Sequence, residues 1–102
     1  MTLAKYPKTL LVIVAEAAIE KKLVRDVRER GAQGWTLTEV SGAGRGSVRE
    51  GAWEADRTIE LKVICDEAVA DAIAAHVLAT YAPHYSVAMY FSAVAVLRPE
   101  RF

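Results

Sequence analysis

The apolar run TLLVIVA (Thr9–Ala15) is rich in valine and isoleucine and lacks the alternation of a strand with one wet face, so it reads as a strand buried on both sides. Everything that follows must supply those two covers. From Ala17 to Arg30, Ile19, Leu23, Val24 and Val27 form one stripe with charged residues elsewhere, and Gly31 stands where a helix C-terminus favours glycine. This predicts a helix. WTLTEV (Trp35–Val40) is β-branched and alternating, and RTIELKVI (Arg57–Ile64) sets Ile59, Leu61 and Val63 against Glu60 and Lys62. Asp66 can cap a second helix to about Tyr81, with Val69, Ile73 and Val77 inward and Ala72 beside them, and Pro83 prevents its continuation. VAMYFSAVAVL (Val87–Leu97) is a fourth strand, closed by Pro99.

The order β-α-β-β-α-β predicts an α+β, ferredoxin-like split βαβ sandwich spanning residues 1–102 as one domain. Two helices cover one face of such a sheet. The other carries apolar positions of the first and fourth strands, including Tyr90, Val94 and Val96 opposite Met89 and Phe91, and predicts a homo-oligomer.

With thirteen basic and thirteen acidic residues the formal charge is zero, which removes nonspecific attraction to nucleic acid or an anionic membrane. The run around Leu10–Ala15 is too short to span a bilayer, and although Lys5 and Lys8 precede it, cleavage as a signal would delete a strand the fold needs. The expectation is a cytoplasmic protein. The single cysteine, Cys65, excludes an internal disulfide framework and reads as core packing; His76, between Ile73 and Val77, reads as a helix-border packing residue.

EVSGAGRGSVREGAWEADRT (residues 39–58) holds four of the six glycines. A hairpin connection ordinarily takes about 2–5 residues, so one this long predicts a binding or ligand-ordered segment. Glycines at 42, 44 and 46 let backbone N–H groups converge on an anion, and Arg45 and Arg49 supply forked donors suited to phosphate. It is neither a dinucleotide fingerprint, since Ser47 falls at the third glycine, nor a Walker loop, since Gly-Lys-Ser/Thr is missing.

GAQGWTLTEVSGAGRG (Gly31–Gly46) resembles the helix end, second strand and opening of the T-loop in the PII-like signalling proteins, and RTIELKVICD resembles their third strand. The resemblance implies a homotrimer whose intersubunit clefts bind adenine nucleotides, with a T-loop at about 42–56 that signals occupancy to a partner. It implies that Gly42, Ala43, Gly44 and Gly46 present backbone to the nucleotide and that Arg45 or Arg49 reaches its phosphates. Thr36, Thr38 and Glu60 border the adenine on the same ground, and Arg98 and Arg101 resemble C-terminal basic residues that enter a neighbouring cleft.

The departures are also informative. Gly46 stands where nitrogen-signalling members carry a glutamine that helps bind 2-oxoglutarate with magnesium; Trp53 stands in a loop that in covalently regulated members carries a tyrosine; and YAPHYS (Tyr81–Ser86) replaces a Gly-Asp-Gly-Lys phosphate turn. These changes favour ADP or AMP over ATP and look most like the divergent branch linked to inorganic-carbon uptake or carboxysomes. The partner would then be a bicarbonate transporter or a carboxysome component. His84 has two readings, an exposed loop residue and, with Arg49, a second anion site for bicarbonate. No catalytic cofactor is implied.

Enzyme readings lack their parts: there is no nucleophile–base arrangement, and the chain has no asparagine for acylphosphatase-like chemistry. The RNP pattern of an RNA-binding sheet is missing, and Cys65 with two separated histidines is a poor soft-metal set for a CutA-like trimer. The rival to a nucleotide-binding regulator is a trimeric interaction module without a small ligand.

Overall fold

A computed structural model describes residues 1–40 and 57–102. The T-loop expected at about 42–56 lies outside the described residues.

The elements follow the expected order: β1 (Tyr6–Glu16), a 3-10 turn (Ala17–Ile19), α1 (Glu20–Glu29), β2 (Thr36–Val40), β3 (Thr58–Cys65), α2 (Glu67–Thr80) and β4 (Val87–Val96). The strands form an antiparallel sheet in the order β2-β3-β1-β4, with the two longest strands, β1 and β4, paired from Tyr6↔Val96 to Ala15↔Val87. Two crossovers of the split βαβ type generate that order.

Register sorts the side chains. Leu11, Ile13 and Ala15 of β1 share a face with Ile59, Leu61, Val63 and Cys65 of β3, and all are buried beneath Ile19, Leu23 and Val27 on one side and Ala70, Ile73, Ala74 and Val77 on the other. Each large aliphatic side chain removed from water there contributes about 1.5–3 kcal/mol. Cys65 is part of this core, and burial pushes its thiol up from the ordinary value. Among the described residues, no helix covers the opposite face. Val12 is nevertheless only 1% exposed, flanked in register by Lys62 of β3 and Tyr90 of β4.

Several expectations need correction. The first helix begins as a 3-10 turn over Ala17–Ile19, because the chain must bend off β1 before an α-helical turn can form. Trp35 precedes β2 instead of opening it, and packs partly buried against the core. Ala72 is exposed; Ala70 and Ala74 are the small residues that let α2 approach the sheet. Asp66 occupies the N-cap position of α2 with no side-chain capping bond, because its carboxylate accepts from Lys8 Nζ at 2.7 Å. Pro99 does not end regular structure but opens a short 3-10 turn through Arg101.

The end of α1 is fixed by its backbone. Gly31 N–H donates to Arg28 C=O and Ala32 N–H to Val27 C=O, both at 3.1 Å, with Gly31 at φ +107°. This is a Schellman closure, which requires the left-handed backbone glycine adopts without penalty.

Asp26, only 3% exposed, ties the helices together. Its carboxylate accepts from the Tyr81 hydroxyl, from His76 Nε2 at 2.9 Å and from Arg25 Nε and Nη2 at 3.2 Å. Arg30 spans the same cluster, donating Nη1 to Asp26 C=O at 3.2 Å and Nη2 to His76 Nδ1 at 2.8 Å. His76 therefore does more than pack at a helix border. Burial alone would raise the Asp26 carboxyl, but the bonds from Tyr81, His76 and Arg25 outweigh it and hold the group below the ordinary carboxylate range.

Candidate functional site

The helix-free face of the sheet carries a groove of about 570 Å³ at the end of β3 remote from the 41–56 segment. Leu10 and Ile64, directly paired across β1 and β3, supply its apolar floor. Thr36 and Lys62, paired across β2 and β3, supply a hydroxyl and an ammonium beside it. The connection that leaves the Schellman closure forms one wall with Gln33, Gly34 and Trp35, and the C-terminal turn forms another with Glu100, Arg101 and Phe102. The Gly34 backbone is open: a Cβ built there would meet nothing within 4 Å.

These parts have complementary chemistry. Leu10, Ile64, Trp35 and Phe102 suit a flat apolar or aromatic ring, whereas Lys62 and Arg101 are cations able to meet an anionic group on the same molecule. Two further polar residues continue the surface along the sheet. Thr38 faces Glu60 in register, one step nearer the loop end, and Glu60 accepts an ion pair from Lys62 at 3.3 Å.

The expected site residues thus divide. Thr36 and Arg101 line the groove, with Thr38 and Glu60 adjoining it. Arg98 lies outside the lining, exposed, with Nε 3.5 Å from Glu100. His84 sits in the exposed turn after α2, whose Ser86 N–H donates to Glu16 Oε2 at 2.6 Å, at the end of β1 away from Leu10. Gly42, Ala43, Gly44, Arg45, Gly46 and Arg49 lie outside the described residues. At their root, Arg57 pairs with Glu39 at 2.6 Å and Ala17 N–H donates to Arg57 C=O at 2.8 Å, joining β2, β3 and the start of the first helical segment.

Sequence reasoning missed Leu10, Gln33, Gly34, Trp35, Lys62, Ile64, Glu100 and Phe102. A signal existed for two of them: Lys62 and Ile64 share the face of Glu60, so an apolar residue ending a polar series marked a place where that face ceases to be open water. The tail gave none, because nothing in RPERF indicates that it folds back beneath β1.

A family model described as Nitrogen regulatory protein P-II matches residues 8–101. The chain belongs to the P-II family. Among solved structures, a protein from Thermus thermophilus described as a PII-like signalling protein is 37% identical, with a TM-score of 0.84 over 98% of this chain and 99% of that one. CPII from Thiomonas intermedia, in a structure bound to ADP and bicarbonate, is 22% identical, with a TM-score of 0.87 over 99% of each chain. Another CPII structure is bound to ADP, AMP and bicarbonate, at 21% identity and a TM-score of 0.86 over 99% of this chain and 98% of that one. Comparison with curated proteins finds no match. The P-II fold agrees with the sandwich expected from the order of elements. No helix among the described residues is long and apolar enough to cross a membrane.

Proposed function

We propose that this P-II protein is a non-enzymatic cytoplasmic regulator that binds an adenine nucleotide, ADP or AMP in preference to ATP, and signals through the T-loop at about 42–56. The observation that carries this reading is the groove, in which an apolar floor at Leu10 and Ile64 lies beside Thr36, Lys62 and Arg101 on a P-II chain. The base seats against the floor and Gly34, and the phosphates extend past Lys62 and Arg101 toward the T-loop backbone at Gly42–Gly46. Arg45 and Arg49 close on the phosphates.

The protein acts as a homotrimer, with the helix-free faces gathered together, so that Thr38, Glu60, Arg98 and Arg101 border clefts between subunits. Bicarbonate is the second ligand, taken near Arg49 and His84, which places the protein in inorganic-carbon or carboxysome metabolism. The CPII structures with ADP, AMP and bicarbonate support this pairing of ligands. The target is a bicarbonate transporter or a carboxysome component.

Calorimetric titration with AMP, ADP and ATP, repeated in bicarbonate, tests the reading. ADP and AMP should bind more tightly than ATP, and bicarbonate and ADP should tighten each other's binding by the same factor, as linkage requires. Absence of binding by all three nucleotides at millimolar concentration would leave the interaction-module reading instead.

A further inference from the structure

Arg30 has donors and no acceptor, so the 2.8 Å bond between its Nη2 and His76 Nδ1 requires an unprotonated Nδ1 with its lone pair facing the guanidinium. The ring's proton is then on Nε2, which donates to Asp26 Oδ2 at 2.9 Å. The cluster thus holds a neutral histidine of defined tautomer between a fixed cation and a buried carboxylate.

We infer that His76 is a proton-operated latch on the C-terminus of α1: adding a proton at Nδ1 ejects Arg30 and loosens the turn that leads into the groove wall. A protonated imidazole has two donors and no acceptor, so Nδ1–H would meet the Arg30 N–H head-on, with two like charges in contact. The opposite side of the ring holds, because Nε2–H then donates to Asp26 with full charge assistance. Thr80 Oγ1, 3.3 Å from Nδ1, is placed to accept a hydrogen bond from the new Nδ1–H and so replace Arg30 as its partner. Among the described residues, the groups that face this ring are Asp26 from α1 and Arg30 at its C-cap, with Arg25 beyond Asp26, and Thr80 and Tyr81 from α2 and its end. Asp26 stays ionised through mild acid, since its hydrogen bonds hold it below the ordinary carboxylate range.

The release has a direction. Arg30 is the C-cap residue of α1, followed by Gly31 and Ala32, whose N–H groups make the Schellman bonds, and then by Gln33, Gly34 and Trp35 in the groove wall. Freeing the Arg30 guanidinium removes its bond to Asp26 C=O, the carbonyl that also accepts the Arg30 backbone N–H, and with it a side-chain brace beside that closure.

Amide exchange of the full chain, corrected for intrinsic rates, tests the latch. Opening at Gly31 and Ala32 should rise about tenfold between pH 8 and pH 5.5, the change expected for loss of one ordinary hydrogen bond. His76→Gln can accept from Arg30 and donate to Asp26 at any pH, so exchange there should lose its pH dependence and stay slow. Arg30→Met should be fast already at pH 8. Imidazole nitrogen NMR of the wild type supplies the second measurement, with Nε2–H as the expected tautomer at pH 8. An Nδ1–H tautomer, a His76 that stays neutral to pH 5.5, or pH dependence unchanged in His76→Gln would each overturn the proposal.

Discussion

Thr36 and Lys62 stand directly opposite one another across β2 and β3, and both open onto the groove that Arg101 closes from the C-terminal turn. The pairing places a hydroxyl and a cation on adjacent strands, so their separation is set by sheet geometry and not by a loop.

If that cation and Arg101 serve a phosphate, Arg101→Ala should weaken ADP binding by about 1.5–3 kcal/mol, the usual worth of hydrogen bonds to charged groups, and leave adenosine affinity nearly unchanged. Arg45→Ala should behave the same way. Titration of both variants with both ligands separates the effects: equal losses for ADP and adenosine would mean that the change damaged the groove itself.

Assembly is checked by light scattering. The helix-free face exposes Tyr90 at 53%, beside Leu10, Val14 and Val94 of the same face, and the outcome expected is a trimer at micromolar concentration. Tyr90→Lys should shift the population toward monomer and lower nucleotide affinity together, since the proposed clefts need two subunits.

Asp26 gives the protein an acid-sensitive element. Its folded-state pKa is depressed, so its contribution to stability is complete above the unfolded value of about 4 and disappears as pH falls through the lower folded value. Tyr81 works in the other direction. Burial and the bond to Asp26 raise its pKa, so that contribution is present below about pH 10 and is lost as pH climbs through the folded value. Denaturant melts should show Asp26→Asn less stable at neutral pH by about 1.5–3 kcal/mol, with a flatter stability profile below pH 4 than the parent chain.

Gly31→Ala should cost about 1–2 kcal/mol through backbone strain alone. The space is present, with Val69 Cγ2 at an ordinary 3.7 Å from the added carbon, so Gly31→Asn, whose side chain tolerates left-handed backbone, should recover part of the loss in the same melts.

The sheet and both helices were legible because apolar periodicity and the Gly31 closure act over a few residues, where propensity and burial agree. The groove was legible only from one side. Thr36, Thr38 and Glu60 came from resemblance to a family pattern, whereas Leu10 looked like one more core residue until register placed it on the helix-free face. Asp26 was overlooked for a related reason. On a helical wheel it interrupts the apolar stripe as a charge, and its partners His76 and Tyr81 come from a helix end distant in sequence, so nothing local shows that the carboxylate is satisfied. Ala72 was misplaced because an alanine-rich helix leaves several faces equally apolar, and only packing chose Ala70 and Ala74.

The pairing of β1 with β4, which sets Tyr6 against Val96, also bears on how the chain is made. A ribosome delivers β1 well before its outer neighbour, so until β4 emerges the central strand has a bare edge that none of the described elements between them fills. The intermediate that emerges carries β1, α1, β2, β3 and α2 with Val12 and Ile13 beside an empty slot, a ready acceptor for another nascent strand. Copies translated on neighbouring ribosomes are therefore at risk of exchanging β4 until Val96 reaches its place opposite Tyr6.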